Sequence, residues 1–446
     1  MSTALHTLSA TEARTLLAKR AISAEELVRA CLARIEEREP EVAAWTYLDP
    51  ELALAQARAR DRAVREGQVE GLIDGIPVGI KDICDTEDMP TEYGSRARLG
   101  HRPAIDAVCV AQTRAAGGII LGKTVTTEFA ARYPGKTSNP HDGRRTPGGS
   151  SSGSAAAVAD HMVPLAIGTQ TGGSVLRPAS FCGVFGYKPT FGHLSFEGVH
   201  HGAENFDTLG CMARTLDDIR LFRDVLMGFG QRGRARQVPK TLRIALCRTA
   251  KWEEAEATTR TLVEDAARKL GGEGVAVEEL VLPAAFSEIY TLTQKLFAVE
   301  YARAVTPERR RTPDALSSAV QTMFKNAAAV TPEVYMESLA RIDALRVAID
   351  PLLAPYDVVL TPSAGGEAPM GHASTGPTTF TIVWQALNLP SITLPALTGP
   401  NGLPVGLQLV GKRHRDPDLL DAADAVWQRL GKAAGSASPT GNRSPG

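Results

Sequence analysis

No apolar run in the chain approaches the roughly 18 uncharged residues that a membrane-crossing helix needs, so no membrane span is expected. The opening MSTALHTLSATEARTLLAKR also lacks the basic-then-apolar pattern of a secretory signal, and the expectation is a soluble cytoplasmic protein. Basic surplus is missing too: 49 Lys+Arg stand against 50 Asp+Glu, a formal net charge of -1. Overall charge therefore gives no reason to expect a nucleic-acid or anionic-membrane partner. Cysteine is sparse and scattered. The six, at Cys31, Cys84, Cys109, Cys182, Cys211 and Cys247, show no C-x-x-C spacing, which argues against a zinc cluster or a disulfide framework and for buried thiols. The nine histidines include no H-E-x-x-H, and the adjacent pair His200–His201 lies in a loop-like GVHHGAENFD stretch, so no metal and no cofactor is expected.

What is present is enough apolar material for a large core, 43% of 446 residues. Ser9 with Glu12 and Ser23 with Glu26 have capping-box spacing, so helices open the chain. Strand character follows at Ile76–Ile80, Ile119–Leu121, Val163–Ile167, Leu242–Leu246, Val358–Leu360, Ile392–Leu394 and Val405–Leu409, with helical segments between many of them. That alternation predicts an α/β architecture. The span 283–352 reads as a helical, pocket-shaping region, with Phe286, Tyr290, Phe297, Tyr301, Met323, Phe324 and Tyr335 mostly packing into a core and only a few expected to touch substrate. One domain over 1–432 is expected, followed by a Gly/Ser/Pro-rich disordered tail at 433–446.

Chemistry concentrates between Pro147 and Pro178, in PGGSSSGSAAAVADHMVPLAIGTQTGGSVLRP. Gly/Ser runs are often linkers, but here Ala155–Val158 makes a short helix and Val163–Ile167 a buried strand, so packed elements hold the loops. Ser150 and Ser174 are both flanked by glycine, which lets the backbone N–H groups around them be exposed. Ser174 is the candidate nucleophile. Upstream, the apolar strand Ile76–Ile80 ends on Lys81 and Asp82. A lysine there either snorkels to the surface or, if desolvated, becomes a neutral amine able to accept a proton near pH 7. Gly117–Thr124 satisfies the letter of the phosphate-loop pattern G-x-x-x-x-G-K-[ST], but Ile119, Ile120 and Leu121 between its glycines predict a core strand ending at Lys123 instead. Ser174 also lacks the G-x-S-x-G elbow of histidine-dependent hydrolases, which leaves His193, His200 and His201 as pocket-facing or solvent-facing residues.

Together the GIPVGIKD strand, the PGGSSSGSAAAVA loop and the GTQTGGS turn resemble the amidase signature family of serine hydrolases, and weaker likeness continues through FTIVWQALNLPSITLPA and GLPVGLQLVG. The resemblance implies one large mixed central sheet covered by helices on both faces. It also implies a Ser-Ser-Lys triad, with Ser174 as nucleophile, Ser150 as the bridging serine after a cis Gly149–Ser150 peptide, and Lys81 as base. By the same pattern the backbone N–H groups of Thr171, Gly172, Gly173 and Ser174 form the oxyanion hole. Ser151 takes a supporting role and Ser154 a structural one in the first helical turn. The family often places an arginine two residues after the nucleophile. Here Arg177 stands three after it, as in a malonamidase-like subset where the arginine binds a substrate carboxylate, the alternative being a structural arginine held by carbonyls.

The implied activity is hydrolysis of a small or aryl amide by way of an acyl-enzyme, with carbamates, anilides and esters as further substrates. Water and a small-molecule amide are then the partners, and the enzyme is a monomer or homodimer. Two alternatives are the amidase subunit of a glutamine-dependent tRNA amidotransferase and a malonamidase-like hydrolase of carboxylate-bearing amides. A non-catalytic scaffold would be expected to lack a triad position, and all three are filled.

Overall fold

Among the described residues, eleven strands form a single mixed sheet: β1 (Trp45–Leu48), β2 (Pro77–Lys81), β3 (Ile119–Thr124), β4 (Leu165–Gln170), β5 (Phe185–Lys188), β6 (Thr208–Ala213), β7 (Arg243–Leu246), β8 (Ala276–Glu279), β9 (Val358–Pro362), β10 (Ser391–Thr398) and β11 (Pro404–Val410). Their order is β1-β3-β2-β4-β6-β5-β10-β11-β9-β7-β8. The computed structural model describes residues 4–68, 71–131, 133–230, 233, 235–239 and 241–430; the expected tail at 433–446 lies outside the described residues. Parallel pairs β3–β2–β4 and β9–β7–β8 flank an antiparallel centre running from β4 through β6, β5, β10 and β11 to β9. Every residue of β2, β3, β4, β5, β6 and β9 is buried, which requires cover on both faces of the sheet. Fourteen α-helices among the described residues provide it. The fold is therefore α/β with one large mixed sheet.

Local chemistry explains the elements that carry the site. Helices Ala10–Ala18 and Ala24–Val42 begin with complete capping boxes from Ser9/Glu12 and Ser23/Glu26, as their spacing predicts. The Ser152–Ala159 helix is built from small residues and is buried throughout. Gly153 can carry no Cβ, because the Ala44 carbonyl occupies that place. Ser154 ties the helix to the sheet, its Oγ lying 2.8 Å from the Ile167 carbonyl and 2.7 Å from Thr124 Oγ1.

Helices Ile289–Ala304, Thr306–Arg311, Ser318–Ala328 and Pro332–Leu353 occupy the span read as helical. Phe286, Ile289, Leu296 and Tyr301 pack there with Ile342, Ile349 and Trp384 in a second apolar cluster beside the main core. Among the described residues no helix is long and apolar enough to cross a membrane.

Candidate active site

Lys81 closes β2 at its carboxyl end, between parallel neighbours β3 and β4. It is fully buried. Its Nζ lies 2.7 Å from Ser150 Oγ and 2.7 Å from Thr169 Oγ1, with the Thr169 carbonyl at 3.4 Å. Burial pushes its pKa down to about 7, against a weaker upward pull from Cys84 and Asp207. Near neutral pH a large share of this amine is therefore uncharged and can accept a proton.

Two serine loops meet beside the amine. The Gly149–Ser150 peptide is cis. The Ser150 carbonyl accepts from Thr127 N–H at 3.3 Å, and Ser151 N–H donates to the Ser174 carbonyl at 3.3 Å, which brings the backbone of Ser174 against the Ser150–Ser151 loop. Ser151 Oγ accepts from Thr169 N–H at 3.2 Å and donates to the Thr169 carbonyl at 3.3 Å. Ser151 thus fixes Thr169, and Thr169 in turn holds the Lys81 amine. Gly168 must be glycine at this crossing, since a Cβ there would stand 2.9 Å from Ser151 Oγ. Thr169 lies inside the GTQTGGS motif but carries no sequence mark that separates it from its neighbours.

After β4 the chain turns sharply into the Leu176–Cys182 helix. Among the described residues, the N–H groups of Thr171, Gly172, Gly173 and Ser174 donate to no protein acceptor. Open N–H donors of this kind are able to receive a negatively charged oxygen. Gln170 Oε1 takes the next two N–H groups, those of Val175 and Leu176, each at 3.0 Å. At the entrance, Thr171 Oγ1 donates to Asp207 Oδ1 at 2.5 Å and accepts from the Tyr301 hydroxyl at 3.1 Å. Asp207 Oδ2 is held by the N–H groups of Gly202 at 2.7 Å and Ala203 at 2.9 Å. Thr378 and Ile382 close over the turn: a Cβ on Gly172 would meet Thr378 Cγ2 at 3.3 Å and Ile382 Cδ1 at 3.5 Å, and one on Gly173 would collide with Thr381 Oγ1. The sequence places Tyr301 among core aromatics and Asp207 at the end of a loop-like stretch, and marks Thr378 in no way; their contacts at this turn are made only by the folded chain.

Arg177, whose spacing leaves both a carboxylate-binding and a structural role open, is buried and hydrogen-bonds the protein's own oxygens. Its Nη1 donates to the Gly376 carbonyl at 2.7 Å, and its Nη2 donates to the Gly149 carbonyl at 2.5 Å and to Thr375 Oγ1 at 3.0 Å. The guanidinium therefore braces the residue before Ser150 against the 375–376 segment.

The histidines are engaged elsewhere. His200 stacks on Tyr93 at 4.7 Å between ring centroids and is tilted against Phe129, and burial pushes its pKa down to about 4. His193 stacks on His414, with its Nδ1 3.3 Å from Asp416. His201 Nδ1 lies 3.7 Å from Asp207. No hydrogen bond joins a histidine to Ser174 among the described residues. The six cysteines are buried and free, and no group of three or more His, Cys, Asp or Glu among the described residues is arranged to hold a metal ion.

Lys123 lies within β3 and is fully buried, pairing with Asp82 at 3.3 Å and donating to the Cys84 carbonyl at 2.9 Å. The Gly117–Thr124 run is thus a buried strand and its approach, with no phosphate-loop geometry.

Comparison with known proteins agrees with this architecture. A glutamyl-tRNA(Gln) amidotransferase subunit from Chloroflexus aggregans is 34% identical, over 96% of this chain and 97% of that protein. A crystal structure described as an amidase superposes with a TM-score of 0.87 at 29% identity, covering 95% of this chain and all of the other. The native peptide amidase of Stenotrophomonas maltophilia superposes with a TM-score of 0.80 at 28% identity, covering 95% of this chain and 97% of that one. The family model described as Amidase matches residues 26–420, and the chain belongs to the amidase family.

Proposed function

We propose that the chain hydrolyses a small or aryl amide through an acyl-enzyme on Ser174, with Ser150 and Lys81 as the proton relay. The observation that carries this reading is the Lys81 amine, fully buried, with a pKa near 7 and 2.7 Å from Ser150 Oγ. Neutral Lys81 takes the Ser150 proton while Ser150 takes that of Ser174, whose Oγ forms a bond to the amide carbonyl carbon. The oxyanion is received by the open N–H groups of the Thr171–Ser174 turn. Collapse breaks the C–N bond, and the proton returns through Ser150 to the departing amine. Water then attacks the ester and frees the acid. Carbamates, anilides and esters fit the same route.

The uncharged wall of the turn and the Asp207 carboxylate at its entrance favour a neutral over an anionic acyl group. Thr378, Thr381 and Ile382 wall the turn, and Arg177 donates to Gly149, Thr375 and Gly376. Arg177→Ala is therefore expected to lower kcat/KM to a similar extent on neutral and carboxylate-bearing amides and to cost about 2–4 kcal/mol of stability. Parallel kinetics on both substrate classes and a thermal melt check this; a loss confined to carboxylate-bearing substrates would revive the malonamidase-like reading.

A second reading is the amidase subunit of a tRNA amidotransferase, favoured by 34% identity to such subunits over nearly their whole length. Both readings use the same acyl-enzyme step and differ in substrate and partner. The purified chain, assayed alone on acetanilide, a phenyl carbamate, malonamate and glutamine, is expected to cleave the neutral amide. Glutamine cleavage that appears only with a co-purifying subunit would establish the second reading instead.

A further inference from the structure

We infer that Gln385 is a positioning residue that closes a hydrogen-bonded ring around the Thr171–Ser174 turn and so sets the aim of its backbone donors. This rests on the acyl-enzyme reading above and assigns a role to a residue 215 positions from the motif.

The ring follows from the donor and acceptor inventory of two buried amides. Gln170 Oε1 is occupied by the N–H groups of Val175 and Leu176, at the exit of the turn. Its Nε2 donates to Gln385 Oε1 at 3.1 Å. Gln385 Nε2 then donates to the Phe206 carbonyl and, at 3.2 Å, to Thr208 Oγ1. Between those two residues lies Asp207, which holds Thr171 at the entrance of the turn. The circuit therefore runs from Thr171 to Asp207, along the backbone to Phe206 and Thr208, and across Gln385 and Gln170 to Val175, and the chain segment that closes it carries the four open N–H groups.

Each amide also fixes the other's orientation. Reversing Gln385 would point an NH₂ group at the Gln170 NH₂ and an oxygen at the Phe206 carbonyl. Both side chains are buried, so water cannot repair such a mismatch cheaply. Gln385 also belongs to the Ile382–Ala386 helix, and Thr378, Thr381 and Ile382 at its start press on Gly172 and Gly173. One residue thus ties the turn to the β6 entrance and to the segment that covers it, without touching the reacting atoms.

The test compares wild type, Gln385→Leu, Gln385→Asn, Gln170→Leu and the Gln170→Leu/Gln385→Leu double variant. Readouts are amide kinetics, thermal melting, fluorophosphonate labelling of Ser174 and inhibition by 2,2,2-trifluoroacetophenone, whose adduct carries an oxyanion. Gln385→Leu is expected to lower kcat roughly 10- to 100-fold with KM within about two-fold, and to weaken the ketone in step with kcat/KM. Gln385→Asn, the milder change if the leucine variant does not fold, is expected to move the same quantities less. The double variant is expected to lose little more than either single one. A folded Gln385 variant with unchanged kcat and ketone affinity, or fully additive losses, overturns the inference. Wild type that takes no label at Ser174 removes the acyl-enzyme reading and the inference with it, whereas a labelled wild type beside an equally active Gln385→Leu removes the inference alone.

Discussion

Ser174→Ala is expected to abolish the burst of p-nitrophenol from p-nitrophenyl acetate and the matching acetyl mass increment, and to lower amide turnover on the order of 10⁴- to 10⁶-fold. The effect is that large because the variant loses the atom that forms the covalent bond while every support of the site remains. The Ser174 contact that joins the two serine loops is made by its carbonyl, which alanine keeps. Gln170, Asp207 and the Ser151–Thr169 pair are equally untouched. Its melting temperature is therefore expected within a few degrees of wild type. A burst that persists in the variant would move the nucleophile elsewhere.

Lys81→Met is expected to lower amide turnover on the order of 10³- to 10⁴-fold, and turnover of a nitrophenyl ester by less. An amine leaves only with a proton, which Lys81 returns through Ser150; a nitrophenolate leaves without one. Equal losses on ester and amide would contradict the assignment of Lys81 as the group that returns the proton.

Stability moves in the opposite direction. The folded pKa of Lys81, about 7, lies below the ordinary lysine value of 10.5, so between those values the unfolded chain binds a proton that the folded chain does not. Stability from this group rises with pH across that window, and the burial penalty is full below about pH 7. Lys188, also buried and brought to about 7 by burial, has the same sign. Lys81→Met is thus expected to raise stability at pH 7 and to reduce the slope between pH 7 and 10 without removing it, measured by denaturant melts across pH.

Several of the strands that sequence pattern reveals carry three adjacent apolar residues, such as Ile119–Leu121 in β3 and Val358–Leu360 in β9. β5 and β6 are hidden by glycines that the packing demands. A Cβ on Gly186 would stand 2.5 Å from that of Ala179, and one on Gly210 would stand 2.5 Å from the Tyr187 carbonyl. β1 is short and lies between two helices, and β8 is largely exposed at the sheet's far edge. The serines and Lys81 are legible because glycine spacing and a charge at the end of an apolar strand are unusual. What the spacing of Arg177 cannot reveal is that its partners are carbonyls about 30 and 200 residues away, contacts made only by the folded chain. The contacts of Asp207, Tyr301 and Gln385 stay hidden for the same reason, since each is made with a partner on another element.

The most direct measurement is the pH dependence of kcat/KM for a neutral amide, wild type beside Lys81→Met. With a neutral buried amine as the base, wild-type activity rises with pH to a plateau with a midpoint near 7, and the residual activity of Lys81→Met shows no such step. A midpoint near 7 that survives in Lys81→Met would assign the ionisation to another group and contradict the relay.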